Sequence, residues 1–405
     1  MAAGHPRDGY DLAAVRADLP LLAEWTYLAT GTFGVMPEPV LAAYLAKLAA
    51  AERGGSATRE AAMADYEGCR VAVAALIGAD PADVALNRNA SDGIAWVTGA
   101  IELAPGDEVI ASDVEGVELL AALAGLVERT GARVRFVPLA PDPGRLALDL
   151  RAATTARTRL VILSHVSCES GVRAPIRVVR DAVGPDPFLL VDAAQSVGVV
   201  PLELAAWRAD AVISNGHKWL CGPKGTGFAW FASGSVERIR PLGVDTRGID
   251  PPSVERDFYQ RDPVPPARYR TEPAHRFEFG SRAWGHYAGL TAAIDYQAAL
   301  GWENVAAHIR SLTDLAKERL GAVPGVRVVT PPPWEAAAGF VSFAVAVDED
   351  ATDLAARLRE ERILLRAARV PGCERGVLRA SCAFFTSEED IERLVGAVAR
   401  LGVRA

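Results

Sequence analysis

Cysteine is scarce in this sequence, five in 405 residues, and the count is odd. Cys69, Cys168, Cys221, Cys373 and Cys382 contain no C-x-x-C spacing, so neither a disulfide framework nor a cysteine zinc site organises the chain. Histidine is equally sparse, six residues with no H-E-x-x-H or similar pattern, which argues against a histidine metal centre. No apolar run approaches the ~18 residues of a membrane span. The opening Met-Ala-Ala-Gly-His-Pro-Arg-Asp-Gly has no apolar signal core, so a cytoplasmic location is expected. A surplus of basic charge is missing too. Lys and Arg number 43 against 51 Asp and Glu, a net charge of −8 with no basic stripe, which argues against a nucleic-acid partner. There is no internal repeat and no low-complexity segment. Demanding chemistry in such a chain points to an organic cofactor rather than a metal.

What is present is the raw material of a folded enzyme. Hydrophobic residues make up 50% and charged residues 23%. The length exceeds the ~250–300 residues at which one core stops growing, so two domains are expected. Residues 36–52 read as a helix, with Pro37 near its start and Gly54-Gly55 as its stop. Glu60–Ile77 reads as a second helix, ending at Gly78. Short apolar runs then alternate with helical stretches: Glu108–Ala111, Val134–Val137, Leu160–Leu163, Phe188–Val191 and Ala211–Ile213. This alternation predicts an α/β domain around a mostly parallel sheet, and continuous runs such as Leu160–Leu163 suit strands covered on both faces. Residues 245–276, rich in Pro, Arg, Asp and Tyr, read as a long irregular excursion of the kind that serves a site or an interface. Helices are expected over Trp284–Ala299 and on to Leu320. The tail alternates again, with strands at Gly339–Val347, Ile363–Leu365 and Val377–Ser381 and helices near Asp353–Glu361 and from Ser387, as a smaller α+β domain would. The expected division is an arm at 1–35, a large domain at 36–300 and a small C-terminal domain at 301–405.

One stretch carries chemistry. Asp192 ends an apolar strand, where open α/β sheets place ligand-binding groups. Lys218 lies 26 residues later, just past the next strand, in Ser214-Asn215-Gly216-His217-Lys218-Trp219. A carboxylate and an amine therefore meet at one sheet edge. That is the pair required by pyridoxal 5′-phosphate (PLP): an amine to form a Schiff base with the cofactor aldehyde, and a carboxylate to keep the pyridine nitrogen protonated. The following Gly222-Pro223-Lys224-Gly225-Thr226-Gly227 lets backbone approach a cofactor or a partner chain closely. Ser91, in Arg88-Asn89-Ala90-Ser91-Asp92-Gly93, suits either a helix N-terminus that attracts an anion or an ordinary N-cap.

These motifs resemble the class V aminotransferase family of fold-type I PLP enzymes, which includes cysteine desulfurases, isopenicillin-N epimerase and C–S lyases. The likeness runs from Tyr27-Leu28-Ala29-Thr30-Gly31-Thr32 to Glu388-Glu389-Asp390-Ile391. It implies that Lys218 is the Schiff-base lysine, Asp192 the pyridinium partner and Gln195 a ligand of the phenolic oxygen. Ala90 and Ser91 fall in the phosphate-binding turn, and Asn215 and His217 supply further phosphate contacts. Phe277-Glu278-Phe279-Gly280-Ser281 resembles the segment that enters a neighbouring subunit, so Ser281 would touch the partner's phosphate in a homodimer with shared active sites. Arg379, in Leu378-Arg379-Ala380-Ser381, resembles the arginine that binds the α-carboxylate of an amino-acid substrate, and a planar guanidinium suits that group. Thr32 and Phe33 are placed to line the substrate pocket or to anchor a buried loop.

Three departures narrow the function. In Ser112-Asp113-Val114-Glu115-Gly116-Val117, relatives carry a histidine or another ring after the glutamate, and it stacks on the cofactor. Gly116 stands there instead, so either another ring stacks or that face is open to substrate. Cys168 stands where some relatives have asparagine, either facing the cofactor or filling space as a small buried side chain. The long loop that carries a nucleophilic cysteine in desulfurases is missing between Arg366 and Arg379, a stretch that holds Cys373. The resulting expectation is β-elimination of the C–S lyase type on a cysteine-derived conjugate in specialised biosynthesis. Decarboxylation or oxidative deamination is the close rival. Epimerisation, transamination, desulfuration and a cofactor-free scaffold are the remaining alternatives.

Overall fold

The computed structural model describes residues 10–241, 243–245, 248–249 and 268–401. Its strands in chain order are β1 (Thr26–Tyr27), β2 (Val84–Asn87), β3 (Glu108–Ser112), β4 (Arg133–Val137), β5 (Thr158–Ser164), β6 (Phe188–Asp192), β7 (Ala211–Asn215), β8 (Gly227–Phe231), β9 (Val326–Val328), β10 (Phe340–Val345), β11 (Ile363–Leu364), β12 (Arg366–Ala368) and β13 (Val377–Ser381). The helices used below are α1 (Leu12–Ala17), α2 (Glu38–Gly54), α3 (Arg59–Ile77), α4 (Ala90–Ala100) and α5 (Val117–Thr130).

The apolar runs become a seven-stranded sheet of order β2-β8-β7-β6-β5-β3-β4. Pairing from β4 through β7 is parallel, while β8 is antiparallel to both β7 and β2. The five expected strands are all present. β2 and β8 are additions, both fully buried, with β8 paired to β7 and β2 paired to β8 at the sheet edge. Separate clusters of buried apolar side chains cover the sheet, one built around Val161, Leu189 and Val212 and the other around Ile162, Leu190 and Ile213. Neighbouring residues on one strand thus point into different cores, which is why these strands read as continuous rather than alternating apolar runs.

Register brings chemistry to one edge. Ser164 pairs with Asp192, and Asp192 with Ile213, so the carboxyl ends of β5, β6 and β7 lie side by side. The tail forms a four-stranded antiparallel sheet, β12-β13-β10-β9, over its own apolar cluster. β1 pairs in parallel with β11, Thr26 opposite Ile363, which ties the N-terminal segment to the C-terminal region. Gly301, at φ 82, separates the helices Trp284–Leu300 and Trp302–Gly321 at the proposed boundary between large and small domains. Of the expected excursion at 245–276, residues 246–247, 250 and 251–267 lie outside the described residues. The rest includes a short helix, Pro273–Phe277.

The segment after that helix is fixed by a buried ion pair. Glu278 accepts from Arg70 Nη1 at 2.6 Å, from Tyr66 Oη at 2.8 Å and from the Leu86 amide at 2.5 Å. Glu278→Ala removes the buried counter-ion of the Arg70 guanidinium and leaves it the exposed carboxylate of Glu67, 2.8 Å from Nε. A loss of roughly 3–5 kcal/mol is expected in denaturant unfolding, and Glu278→Gln should recover part of it through the neutral hydrogen bonds.

Candidate active site

A cavity of about 380 Å³ opens at the edge where β5, β6 and β7 end. That volume lies within the ~300–1,000 Å³ usual for small-molecule sites. Its lining includes Thr32, Phe33, Ala90, Ser91, Gly116, Asp192, Gln195, Asn215, His217 and Lys218, ten of the residues singled out in the sequence.

Lys218 rides on the connection between the antiparallel neighbours β7 and β8. That connection is closed by Gly216 N–H to Thr226 O at 2.8 Å and by Gly222 N–H to Gly216 O at 2.9 Å. The N-terminal segment docks directly on the lysine's backbone. Gly34 donates to His217 O at 2.8 Å, and a Cβ at Gly34 would lie 2.2 Å from Lys218 O, so only glycine permits the approach. Burial lowers the Lys218 pKa, and Asp192 and Cys168 oppose that shift. Burial raises the Asp192 pKa against the pull of Lys218 and of the Ala194 N–H, which donates to Oδ1 at 2.8 Å. Each group is thus displaced towards its neutral form by loss of water and held towards its charged form by the other.

At one end of the cavity α4 begins. Its N-cap is Asn89, whose Oδ1 accepts from the Asp92 amide at 2.9 Å. Ser91 is therefore not the cap. It sits in the first turn, leaving its hydroxyl free of capping duty. Asn215 Oδ1 accepts from the Ala90 amide at 2.9 Å and so pins the helix start to β7. The His217 ring packs 5.7 Å from Phe33, and its Nδ1 is buried without a hydrogen-bond partner among the described residues. Burial, with the Lys218 and Lys224 charges, pushes its pKa down to about 4 and keeps the ring neutral at physiological pH.

Gln195 is oriented from both sides. It donates from Nε2 to Gly31 O at 2.9 Å and accepts at Oε1 from Trp219 Nε1 at 2.8 Å, which leaves one amide hydrogen uncommitted. Arg379 is fully buried and lies behind the lining, not on it. Its Nη1 donates to Cys168 O at 2.5 Å and its Nη2 to Thr32 Oγ1 at 3.0 Å, while Nε has no partner among the described residues. Burial, then the neighbouring Arg366 charge, pushes its pKa down to about 10. Ser281 is not at this cavity. Within one chain it lines a separate depression with Tyr66, Arg282 and Trp284.

Gly116 has a clear local reason. A Cβ there would sit 2.9 Å from Cys168 Sγ and 3.2 Å from Glu118 Oε2. The space beside it is taken by a thiol and a carboxylate, and the rings on the lining come from Phe33 and His217. Burial pushes the Cys168 thiol up to about 12, with Glu169 adding to the shift. Cys373 does not line the cavity, and its sulfur accepts from Arg327 at 3.0 Å.

Pattern reading missed several neighbours. Arg366 lines the cavity because β12 sets it directly across from Arg379, a register that sequence spacing alone does not give. Glu169 binds Arg366 at 3.4 Å and the Arg369 amide at 2.7 Å. Glu115 is buried and accepts from Ser112 Oγ at 2.5 Å, Ser164 Oγ at 2.5 Å and the Ser164 amide at 2.9 Å. Burial pushes its carboxyl up to about 7. It joins the ends of β3 and β5 directly behind Asp192.

Comparison with known proteins agrees with this geometry. Residues 34–394 match the family model described as aminotransferase class V. The chain is 31% identical to an isopenicillin N epimerase from Streptomyces clavuligerus, over 81% of this chain and 82% of that one. It is 30% identical to a probable cysteine desulfurase from Streptomyces coelicolor, over 95% and 96% of the two chains. Among solved structures it superposes on the cystine C–S lyase C-DES in complex with its reaction product cysteine persulfide, with a TM-score of 0.84, 27% identity, and 95% and 100% of the chains covered. It also superposes on a C-DES variant with glycine covalently linked to the PLP cofactor, with a TM-score of 0.85, 27% identity, and 96% and 99% covered. The large, mostly parallel sheet is that of the fold-type I PLP enzymes. The chain belongs to the class-V aminotransferase family.

Proposed function

We propose that Lys218 anchors PLP in this cavity and that the enzyme eliminates a sulfur-containing β-substituent from a cysteine-derived amino acid. At the coarser level the chain is a PLP-dependent class-V enzyme that acts on amino acids. The residues present fit the cofactor. The N-terminus of α4 offers a phosphate the Ser91 amide and hydroxyl and a positive dipole end, with the Ala90 amide held by Asn215. The unpartnered His217 Nδ1 supplies a further polar contact beside it. Asp192, whose charge is costly where it lies, gains from a cationic ring nitrogen. Gln195 has one N–H left for the phenolic oxygen. Ser281 would complete the phosphate site of a partner subunit, which makes a homodimer with shared sites part of the proposal.

When bound, PLP serves as a sink for the electron pair left on Cα after its proton is removed. The protein supplies the rest. Lys218, its pKa lowered by burial, would take the Cα proton of the bound amino acid on its Nζ. Arg379 lies just behind the lining, and its planar guanidinium would reach the α-carboxylate by exchanging its bonds to Cys168 O and Thr32 Oγ1 for the substrate's oxygens. The Cβ–S bond breaks with its electron pair on sulfur, and hydrolysis of the remaining fragment gives pyruvate and ammonia.

One observation favours elimination over desulfuration. Cys168 is the cysteine that lines the cavity among the described residues, and burial keeps it a thiol. Cys373 lies off the cavity, engaged by Arg327. No thiolate is poised to take sulfur from the substrate, so sulfur departs with its own substituent. Incubating holoenzyme with cysteine S-conjugates tests this. Pyruvate, ammonia and free thiol are expected in equal amounts. With free cysteine as substrate, alanine and a protein persulfide that disappears in Cys373→Ser would make the enzyme a desulfurase; with the S-conjugates, carbon dioxide would make it a decarboxylase and racemised substrate an epimerase.

Arg379→Lys keeps the charge but loses the planar fork. It is expected to raise KM by about tenfold or more with a smaller change in kcat, measured by steady-state kinetics.

A further inference from the structure

We propose that Glu118 makes the cavity selective for amino acids whose side chain ends in a cationic group such as an ammonium. This rests on the reading that the cavity takes an amino acid with its α-carboxylate at Arg379, and it goes further by naming the chemistry of the substrate's far end.

The other carboxylates around the cavity are committed. Asp192 faces Lys218 and accepts from the Ala194 amide, Glu115 is bound by two serines, and Glu169 holds Arg366 and the Arg369 amide. Glu118 differs. It lines the same cavity from the first turn of α5, is exposed, and forms no hydrogen bond or ion pair among the described residues. Its charge is nevertheless felt at Lys218, Asp192 and Arg379, so it lies within electrostatic reach of all three.

Gly116 explains how the carboxylate comes to be there. With Glu118 Oε2 3.2 Å from the place of a Cβ at 116, a larger residue would have to displace either this carboxylate or the Cys168 thiol. Gly116, the N-cap residue of α5, therefore gives up a ring and makes room for a charge. Of the cations on the lining, Lys218 is the proposed covalent anchor and Arg366 is matched by Glu169. Lys224 lies 5.9 Å over the Phe33 ring on the β7–β8 connection. Once the α-carboxylate and cofactor are in place, Glu118 is an unmatched negative charge open to the substrate's side chain.

The test uses two ligands without a β-leaving group, so it is independent of the elimination reaction. L-lysine and L-norleucine are titrated into the holoenzyme, and binding is followed by the change in the cofactor's visible band. Wild type is expected to bind lysine about fivefold to tenfold tighter than norleucine, the scale of one partly exposed charge contact. The ratio should shrink at about 1 M salt as the contact is screened. In Glu118→Gln, nearly the same shape without the charge, the ratio should fall towards one. If Glu118 serves only the dipole of α5, Glu118→Gln changes the melting temperature slightly and leaves the ratio intact, which overturns the proposal. Wild type that binds lysine no better than norleucine overturns it as well. A failure to release pyruvate from S-conjugates would instead sink the elimination reading and leave this ratio standing.

Discussion

Lys218→Ala is expected to abolish the covalent cofactor link and to lower turnover of amino-acid substrates by on the order of 10⁴-fold, the upper range for removing a general base. The argument is geometric. Lys218 is the lysine at the junction of the α4 start, Asp192 and the Arg379 region, and burial lowers its pKa. A surface lysine would have none of these features. Borohydride treatment of wild-type holoenzyme should fix the cofactor on the peptide that carries Lys218, and the variant should show no such adduct by mass spectrometry. The lowered pKa also sets a sign. A base works when deprotonated, so turnover should rise with pH through the Lys218 ionisation, and that limb should vanish in the alanine variant. A wild-type protein that takes up no PLP, or a variant that retains the adduct, would defeat the assignment.

Asp192→Asn is expected to lower turnover by roughly 10²- to 10³-fold while the protein still folds and retains cofactor. Asparagine keeps an oxygen for the Ala194 amide, now 2.8 Å from Asp192 Oδ1, so the strand end is preserved and only the charge is removed. The structure explains why that charge is valuable. Burial penalises it, and Lys218 supplies part of the compensation. When Lys218 forms a covalent link its own charge changes, and a cationic ring nitrogen becomes the natural partner for Asp192. Turnover within about threefold of wild type would show that Asp192 serves the fold rather than the ring. Glu115, tied to β3 and β5 by three hydrogen bonds, backs this region and is a positioning residue here.

Much of the architecture was readable in the chain. β3, β5, β6 and β7 were visible as short apolar runs because a parallel sheet covered on both faces needs apolar residues at successive positions, whereas β4 is a largely exposed edge strand. Gly78, in the left-handed conformation, ends α3 as expected, and Ser387 caps the helix Glu388–Ala399 with Asp390 closing a capping box. β2 and β8 were not read, because Val84–Asn87 is too short to stand out and Gly227–Phe231 is merged with the glycine run before it. Ser91 was read as either an anion-attracting residue at a helix N-terminus or an N-cap, and the structure makes Asn89 the cap. Asn89 and Ser91 are equally good capping types, and only backbone direction separates them.

The chain by itself supplied the functional groups, since a strand-end carboxylate, a lysine one strand later and an arginine near the C-terminus are residue types that local sequence displays, while their pKa values come from burial. Tertiary structure decided who stands beside them. Arg366 reaches the cavity through antiparallel pairing with Arg379, Arg379 itself withdraws behind Thr32 and Cys168, and Glu118 Oε2 lies 3.2 Å from where a side chain at 116 would begin. Each of these depends on contacts between segments far apart in sequence, and no local pattern encodes the distance between two side chains brought together only when the sheet closes over its cores.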